Sequence, residues 1–259
     1  MKISAYIIAF NEEEKIQDCI NSVLWADEVI LADSYSTDNT AKIASKMGAK
    51  VIQVNFKGFG DLRNKAVKAC NGDWILSIDS DERCTEEVKN EILSIIDSPS
   101  VDIYKIPRKN YFMGKFIRYS GWYPNYRQPQ LFKRGMMIYD DLPVHEGYIS
   151  NSAKKIGNLE NAIWQVPFKN FEEMLDKANR YSSLGVSKLE NRNKKTGIMN
   201  SLVHGIWAFF KHYVLKLGFL DGSAGFIIAL GNFEGTFYRY LKLHEKRKKW
   251  NRIPKNPTL

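Results

Sequence analysis

The constraint that most narrows the fold is an alternation in the first third of the chain. Apolar runs that read as strands, "KISAYIIAF", "EVILAD", "KVIQVN" and "DWILSID", take turns with segments that read as helices, "EEEKIQDCINSVL", "DNTAKIASKMG" and "GDLRNKAVKACNG". In the first helix Ile16, Ile20 and Val23 recur at helical spacing. The second begins at an Asp or Asn cap and ends at Gly48, and the third is closed by Gly72. Strands alternating with helices imply an α/β class, Rossmann-like, with a mostly parallel sheet flanked by helices on both faces. Such sheets bind ligands beyond the C-terminal ends of their strands. Asn11, Asp33 and Asp79 fall at three of those ends.

The fourth strand runs out into "SIDSDER", which places Asp79, Asp81 and Glu82 within a few positions. Charge buried there without a partner would be costly, so the carboxylates belong where the strand emerges and hold something positive. In an extended chain Asp79 and Asp81 point to the same side, since strand side chains repeat every two residues. Hard oxygen ligands so placed suit magnesium or manganese, which bind through one or two carboxylates and the oxygens of a substrate phosphate. The alternative is a polar turn capping the next helix, whose first turn carries Glu86 and Glu87. Three strands delivering polar or acidic residues to one sheet edge favour the ligand reading.

A chain of 259 residues makes one large domain or one domain with an appendage. The pattern divides into a sheet domain over residues 1–167 and a mostly helical region with a basic tail over 168–259. Cys19, Cys70 and Cys84 lack paired-ligand spacing and leave an odd thiol, which fits structural thiols in a reducing cytosol. The first apolar run enters "NEEE" directly and lacks the shape of a secretory signal, so a cytoplasmic protein is expected. The net charge of +9 is concentrated in the tail, where Lys242, Lys246, Arg247, Lys248, Lys249, Arg252 and Lys255 face the single acid Glu245. The apolar stretch before it is broken by His204, Lys211, His212, Lys216 and Asp221, so it offers no uninterrupted transmembrane length. An interfacial helix pair with a basic collar fits that pattern, as do core helices followed by a solvated basic end. The intervening segment from "IYKIPRKNYF" to "VHEGYI" is rich in aromatics and arginines, which suits a sugar or anionic acceptor pocket or a hairpin with scattered aromatics.

With "YIIAFNEE", "EVILADSYSTDNT", "GDLRNKAVKACNGDWILSIDSDE" and "VHE" in this order, the chain resembles the family 2 glycosyltransferases. The C-terminal "DGSAGFIIALGNFEGTFYRYLKL" resembles the bacterial lipopolysaccharide inner-core β-glucosyltransferases of that family. The resemblance implies a GT-A fold, a nucleotide-diphosphate sugar donor such as UDP-glucose, a divalent metal ion (Mn2+ or Mg2+) and inversion at the anomeric carbon. It makes Phe10, Asn11 and Glu12 part of the nucleotide wall, with Glu12 on the ribose. Asp33 would accept from the uracil imide, with Ser36 and Asp38 shaping the following loop. This chain has Ser34 and Tyr35 in "ADSYSTD", where the family has two acids and a glycine. Arg63 and Asn64 occupy the family's basic position near the base and diphosphate. Asp79 and Asp81 match its metal-binding acid pair, Asp81 being the more direct ligand, while His145 and Glu146 match its acceptor-side site.

Displacement at an anomeric carbon needs a base for the acceptor hydroxyl and something to neutralise the departing diphosphate. For the base, "YDDLPVHEGY" offers Asp140, Asp141 and Glu146. Glu146 is favoured, with Asp141 second and His145 as a third metal ligand or phosphate donor. A lone histidine also serves as a structural hydrogen-bonding residue, and Asp140 and Asp141 also suit a turn before Pro143. The expected activity moves a hexose, glucose from UDP-glucose, to a lipopolysaccharide core sugar or related surface glycan. The acceptor would be a lipid-linked or core oligosaccharide, met through peripheral membrane contact at the inner face of the cell membrane. Acids in the cleft disfavour nucleic acid, and a homo-oligomer is left open. A nicotinamide dehydrogenase would need a glycine-rich turn where this chain has "NEEE". A metal-dependent phosphatase departs from the pattern at "DSDER", and a basic membrane-binding module without catalysis leaves the strand-end acids unexplained.

Overall fold

The computed structural model describes residues 1–140, 147–191 and 196–248. Two compact units divide the chain, one of Met1–Tyr111 with Tyr123–Pro167, the other of Phe112–Trp122 with Phe168–Leu259.

The first unit opens with β1 (Ile3–Ala9), α1 (Ile16–Asn21), β2 (Glu28–Asp33), α2 (Thr40–Lys46), β3 (Lys50–Gln53), α3 (Phe59–Ala69) and β4 (Trp74–Asp79). It continues through β5 (Glu82–Arg83), α4 (Glu86–Asp97), β6 (Ile103–Lys105) and β7 (Arg108–Phe112), whose end carries the chain into the second unit and its β8 (Lys115–Phe116). Back in the first unit follow β9 (Leu131–Lys133), β10 (Met137–Tyr139), β11 (Tyr148–Ser150), β12 (Gly157–Asn158) and β13 (Ile163–Gln165). The main sheet has the order β12-β6-β9-β4-β1-β2-β3. Its pairs are parallel except at β9, which runs against both β4 and β6. A mostly parallel sheet is therefore what the alternating sequence produces.

All seven residues of the inner strand β1, between β4 and β2, are buried, and their alternation sorts them between two cores. Ile3, Ala5, Ile7 and Ala9 pack with Ile16, Cys19 and Ile20 of α1, Ala44 of α2, and Val88, Ile92 and Ile96 of α4. Tyr6 and Ile8 face the other way, toward Leu62 and Ala66 of α3 and Met137 and Tyr139 of β10. The three cysteines are free and buried, and burial pushes the Cys70 and Cys84 thiols up to about 12, as inert structural thiols require.

Two elements differ from the sequence expectation. Helix α1 is shorter than its amphipathic stretch, because Glu12 and Glu13 form a turn whose N–H groups donate to Thr40 Oγ1 at 2.8 Å and Asp38 Oδ2 at 3.1 Å. Helix α3 ends at Ala69, with Cys70 already extended, so Gly72 is not its cap. Gly72 instead lies against β1: its N–H donates to Ser4 Oγ at 2.7 Å, and an added Cβ would come within 2.6 Å of the Ser4 backbone nitrogen.

The second unit contains α5 (Phe171–Leu184), α6 (Val186–Asn191), α7 (Ile198–Phe210) and α8 (Ser223–Lys248). Met174 of α5 and Ala224 and Ile228 of α8 pack in a core with Phe112 and Ile117, and Leu189 of α6 packs with Tyr240 and Leu243 of α8. Buried Asp221, in a short 3-10 turn before α8, accepts from the backbone N–H groups of Arg118 and Tyr119 and from Ser120 Oγ at 2.8 Å. That carboxylate ties the excursion Phe112–Trp122 to the helices. No helix among the described residues is long and apolar enough to cross a membrane.

Glu28 fastens the N-terminal edge of the sheet. Its carboxylate accepts from Ser4 Oγ, from Asn71 through backbone and side chain, and from the Gly72 N–H at 3.3 Å. Partial burial would raise this carboxyl, and those donors outweigh it, holding the group below the usual range. The folded state thus binds this proton less tightly than the unfolded chain, so the contribution is complete above about pH 4.3 and is lost as pH falls through the lowered value. Glu28→Ala should cost about 1–3 kcal/mol in urea unfolding at neutral pH. The difference from wild type should shrink in acid; a pH-independent difference would show that packing alone is lost.

Candidate functional site

The C-terminal edge of the parallel strands is built from three loops. After β1, Asn11 takes a left-handed backbone (φ 55°), which asparagine tolerates. Its N–H donates to Ser36 Oγ at 2.9 Å, and its side-chain oxygen accepts from the Thr37 N–H at 2.8 Å. The loop after β2 is thereby clasped to the loop after β1. Asp33 is fully buried and its two oxygens accept from Ser36, one from the N–H at 2.9 Å and the other from the hydroxyl. Asp33 thus shapes the loop that presents Tyr35, itself left-handed (φ 58°) and exposed. Phe10 stands exposed at the same edge.

The third loop is the acidic one. β4 ends at Asp79, Ser80 and Asp81 form a turn, and β5 starts at Glu82. The strand alternation invoked for Asp79 and Asp81 therefore does not extend across them, because the backbone turns between the two. Nor are these acids the cap of the next helix: Thr85 is, its hydroxyl accepting from the Val88 N–H at 3.3 Å.

Each acid has its own partner. Arg63 of α3, buried, donates to Asp79 Oδ1 at 2.7 Å and to Ser77 Oγ at 3.0 Å. Burial acts to raise the Asp79 carboxyl, and the Arg63 guanidinium, with Arg108 beyond it, prevails and holds it below the usual carboxylate range. Asp81 has both oxygens 3.2 Å from the side-chain nitrogen of Gln165 on β13, and its carbonyl accepts from the Val166 N–H at 2.9 Å. Glu82 is fully buried beneath the turn. It pairs with Arg108 Nε and accepts from Gln130 Nε2 at 2.9 Å and from the Asp79 N–H at 3.0 Å. Burial dominates its protonation and Arg108 pulls against it; with Asp79 and Asp81 alongside, the Glu82 carboxyl is pushed up to about 6.

The end of β10 is held to α3, the helix that carries Arg63. The Asn64 side chain pairs with both backbone groups of Tyr139, at 2.8 and 3.0 Å. The Tyr139 hydroxyl accepts from Tyr6 at 2.9 Å, and its ring centroid lies 5.6 Å from the Arg63 guanidinium carbon. The next residue, Asp140, exchanges hydrogen bonds with Gly147, the N–H of Gly147 reaching Asp140 Oδ1 at 2.8 Å. Asp141, His145 and Glu146 lie outside the described residues.

A divalent cation fits part of this arrangement. Asp81 offers hard oxygens, and beside it Gln165 Oε1 is buried without a hydrogen-bond partner among the described residues, an acceptor that lacks its counterpart. Asp79 is already compensated by Arg63, and Glu82 is taken up by three donors. Among the described residues no group of three or more His, Cys, Asp and Glu is placed to hold a metal ion. Sequence reasoning missed Arg108, Gln130 and Gln165. These lie 26, 48 and 84 residues from the acids they hold, with no local pattern to link them.

Arg108→Met should strand the buried Glu82 charge and lower stability by about 3–5 kcal/mol. Adding Glu82→Gln to it should recover part of that loss in a double-mutant cycle. Strictly additive losses would mean that the pair is not an energetic unit.

Known proteins place the geometry. Residues 4–157 match the model of the family described as Glycosyl transferase family 2. An uncharacterized glycosyltransferase of Rickettsia bellii is 32% identical over 262 residues, covering 94% of this chain and 86% of that protein. The lipopolysaccharide core biosynthesis glycosyltransferase LpsC of Rhizobium meliloti is 26% identical, with 95% of this chain and 93% of that protein covered. The crystal structure of S. aureus TarS 1-349 in complex with UDP-GlcNAc superposes with a TM-score of 0.51 at 18% identity, over 99% of this chain and 95% of that one, and shares the GT-A fold. Parallel strands that end in clasped loops and an acid turn, with the family's motifs spread along most of the chain, make this protein a member of glycosyltransferase family 2.

Proposed function

We propose that this glycosyltransferase is metal-dependent and inverting, and that it moves a hexose, glucose from UDP-glucose, to a lipopolysaccharide core sugar or a related surface glycan. The observation that carries the reading is the turn Asp79–Ser80–Asp81 at the end of β4, with Arg63 holding one acid and Gln165 orienting the other. The similarity to LpsC along most of both chains supports the acceptor class. A core oligosaccharide or a lipid-linked sugar at the inner membrane face is the acceptor in this reading.

In this reaction the acceptor hydroxyl oxygen bonds to the anomeric carbon from the side opposite the diphosphate. The carbon–oxygen bond to the diphosphate breaks, and its electron pair leaves with the phosphate. The hydroxyl proton passes to a carboxylate, Glu146 before Asp141 in our assignment. Phe10 and the loops of Asn11–Glu12 and Asp33–Ser36 form the wall for the nucleoside, and Arg63 keeps Asp79 charged and oriented. Asp81, with Asp79 and His145, would hold Mn2+ or Mg2+, which when bound neutralises charge on the departing diphosphate.

Calorimetric titration with UDP, with and without manganese, tests the donor site. Wild type should bind UDP more tightly with manganese, Asp81→Ala should lose that dependence, and Gln165→Ala should weaken it about tenfold by releasing the Asp81 carboxylate. Equal binding with and without the metal would remove it from the reading, and no UDP binding would move the donor to another nucleotide. Transfer and hydrolysis assays with UDP-glucose, UDP-galactose and UDP-GlcNAc then decide the sugar.

A further inference from the structure

Helix α7 (Ile198–Phe210) carries no charged residue, and its sidedness is inverted. Met199, Leu202, Val203, Ile206, Trp207 and Phe210 are all exposed, with Val203 at 56%, Ile206 at 54% and Trp207 at 56%. At 100° per residue these six positions fall within an arc of about 140°. The opposite side carries small residues: Ser201 is buried, and Gly205 lies so close to Phe233 of α8 that an added Cβ would meet the ring at 2.9 Å. His204 stacks on Tyr240 of α8, with ring centroids 4.2 Å apart. A helix facing water on that side would bury the large apolar residues and expose the small ones; this one does the reverse. Exposed apolar surface of this continuity marks contact with something apolar.

Charge identifies what that is. Residues 191–220 contain no acid and five cations, Arg192, Lys194 and Lys195 before α7 and Lys211 and Lys216 after it. Lys211 and Lys216 are exposed. An apolar face with a tryptophan on it, bracketed by cations and free of acids in sequence, complements a surface that is apolar beneath and negative on top, which is an anionic lipid bilayer. A second copy of the chain fits poorly, since a two-fold contact through this face would bring the cationic brackets against themselves. Spanning is excluded for α7 by its length of 13 residues.

We infer that the exposed face of α7 inserts into the headgroup region of an anionic membrane, with Lys211 and Lys216 on the lipid phosphates. This face belongs wholly to the second unit, and the inference stands apart from the donor chemistry of the first.

Flotation of the full chain with phosphatidylcholine vesicles, with and without phosphatidylglycerol, tests it without donor or acceptor. Wild type should float with the anionic vesicles, and salt should weaken the binding without abolishing it. Val203→Asp with Ile206→Asp should reduce partitioning at least about tenfold, and Lys211→Ser with Lys216→Ser by about fivefold per lysine. Circular dichroism should be unchanged in both, because these side chains are exposed in the native fold. The proposal fails if wild type ignores both kinds of vesicle or if the aspartate variant floats as wild type does. It also fails if light scattering shows a wild-type dimer that the aspartate variant breaks while vesicle binding persists, which would assign the face to a second copy.

Discussion

The acid turn depends on the buried pair of Glu82 and Arg108. Two aspartates at a strand end repel each other, and a turn between them would swing freely if nothing held its underside. Glu82 holds it from below, its carboxylate accepting the Asp79 N–H while Arg108 and Gln130 compensate its charge. Desolvating such a pair is expensive, and its net contribution to stability is small beside the cost of losing one partner. Its value here is geometric: one buried charge fixes the backbone at Asp79, where the turn between two acids with different partners begins. Arg63 then fixes Asp79, and Gln165 fixes Asp81.

The other loops are arranged on the same plan, with polar side chains bonding to backbone across the strand ends. Asn11 and Ser36 join the first two loops, Asp38 and Thr40 hold the turn of Glu12 and Glu13, and Asn64 holds β10 at Tyr139. Because these bonds use the backbone, the loops keep their shape while aromatic faces such as Phe10 and Tyr35 stay exposed. In the second unit Asp221 does similar work for the excursion Phe112–Trp122, and here too one carboxylate organises a segment distant in sequence.

Membership in glycosyltransferase family 2 sets aside the phosphatase and the non-catalytic module that the acids and the tail had each suggested. The mostly parallel sheet, its helices on both faces, and the delivery of Asn11, Asp33 and Asp79 to one edge were all legible in the sequence. They follow from local periodicity, which a strand or helix imposes on its own residues. The role of Gly72 was not legible, because a close approach to Ser4 involves a neighbour 68 residues away. Nor could the sequence choose between a continuing strand and a turn at Ser80, since alternation is readable only while a strand continues.

By itself, then, the sequence determined the fold class, the family and the edge of the sheet where the chemistry gathers, because short-range patterning and motif order are written along the chain. Only the tertiary structure decided which partner each acid has, that Thr85 and not the acids caps α4, and that α7 turns its large apolar side chains outward. Partners such as Arg108, Gln130 and Gln165 meet the acid turn through sheet pairing and long-range packing, and helical periodicity marks a face without saying which way that face points.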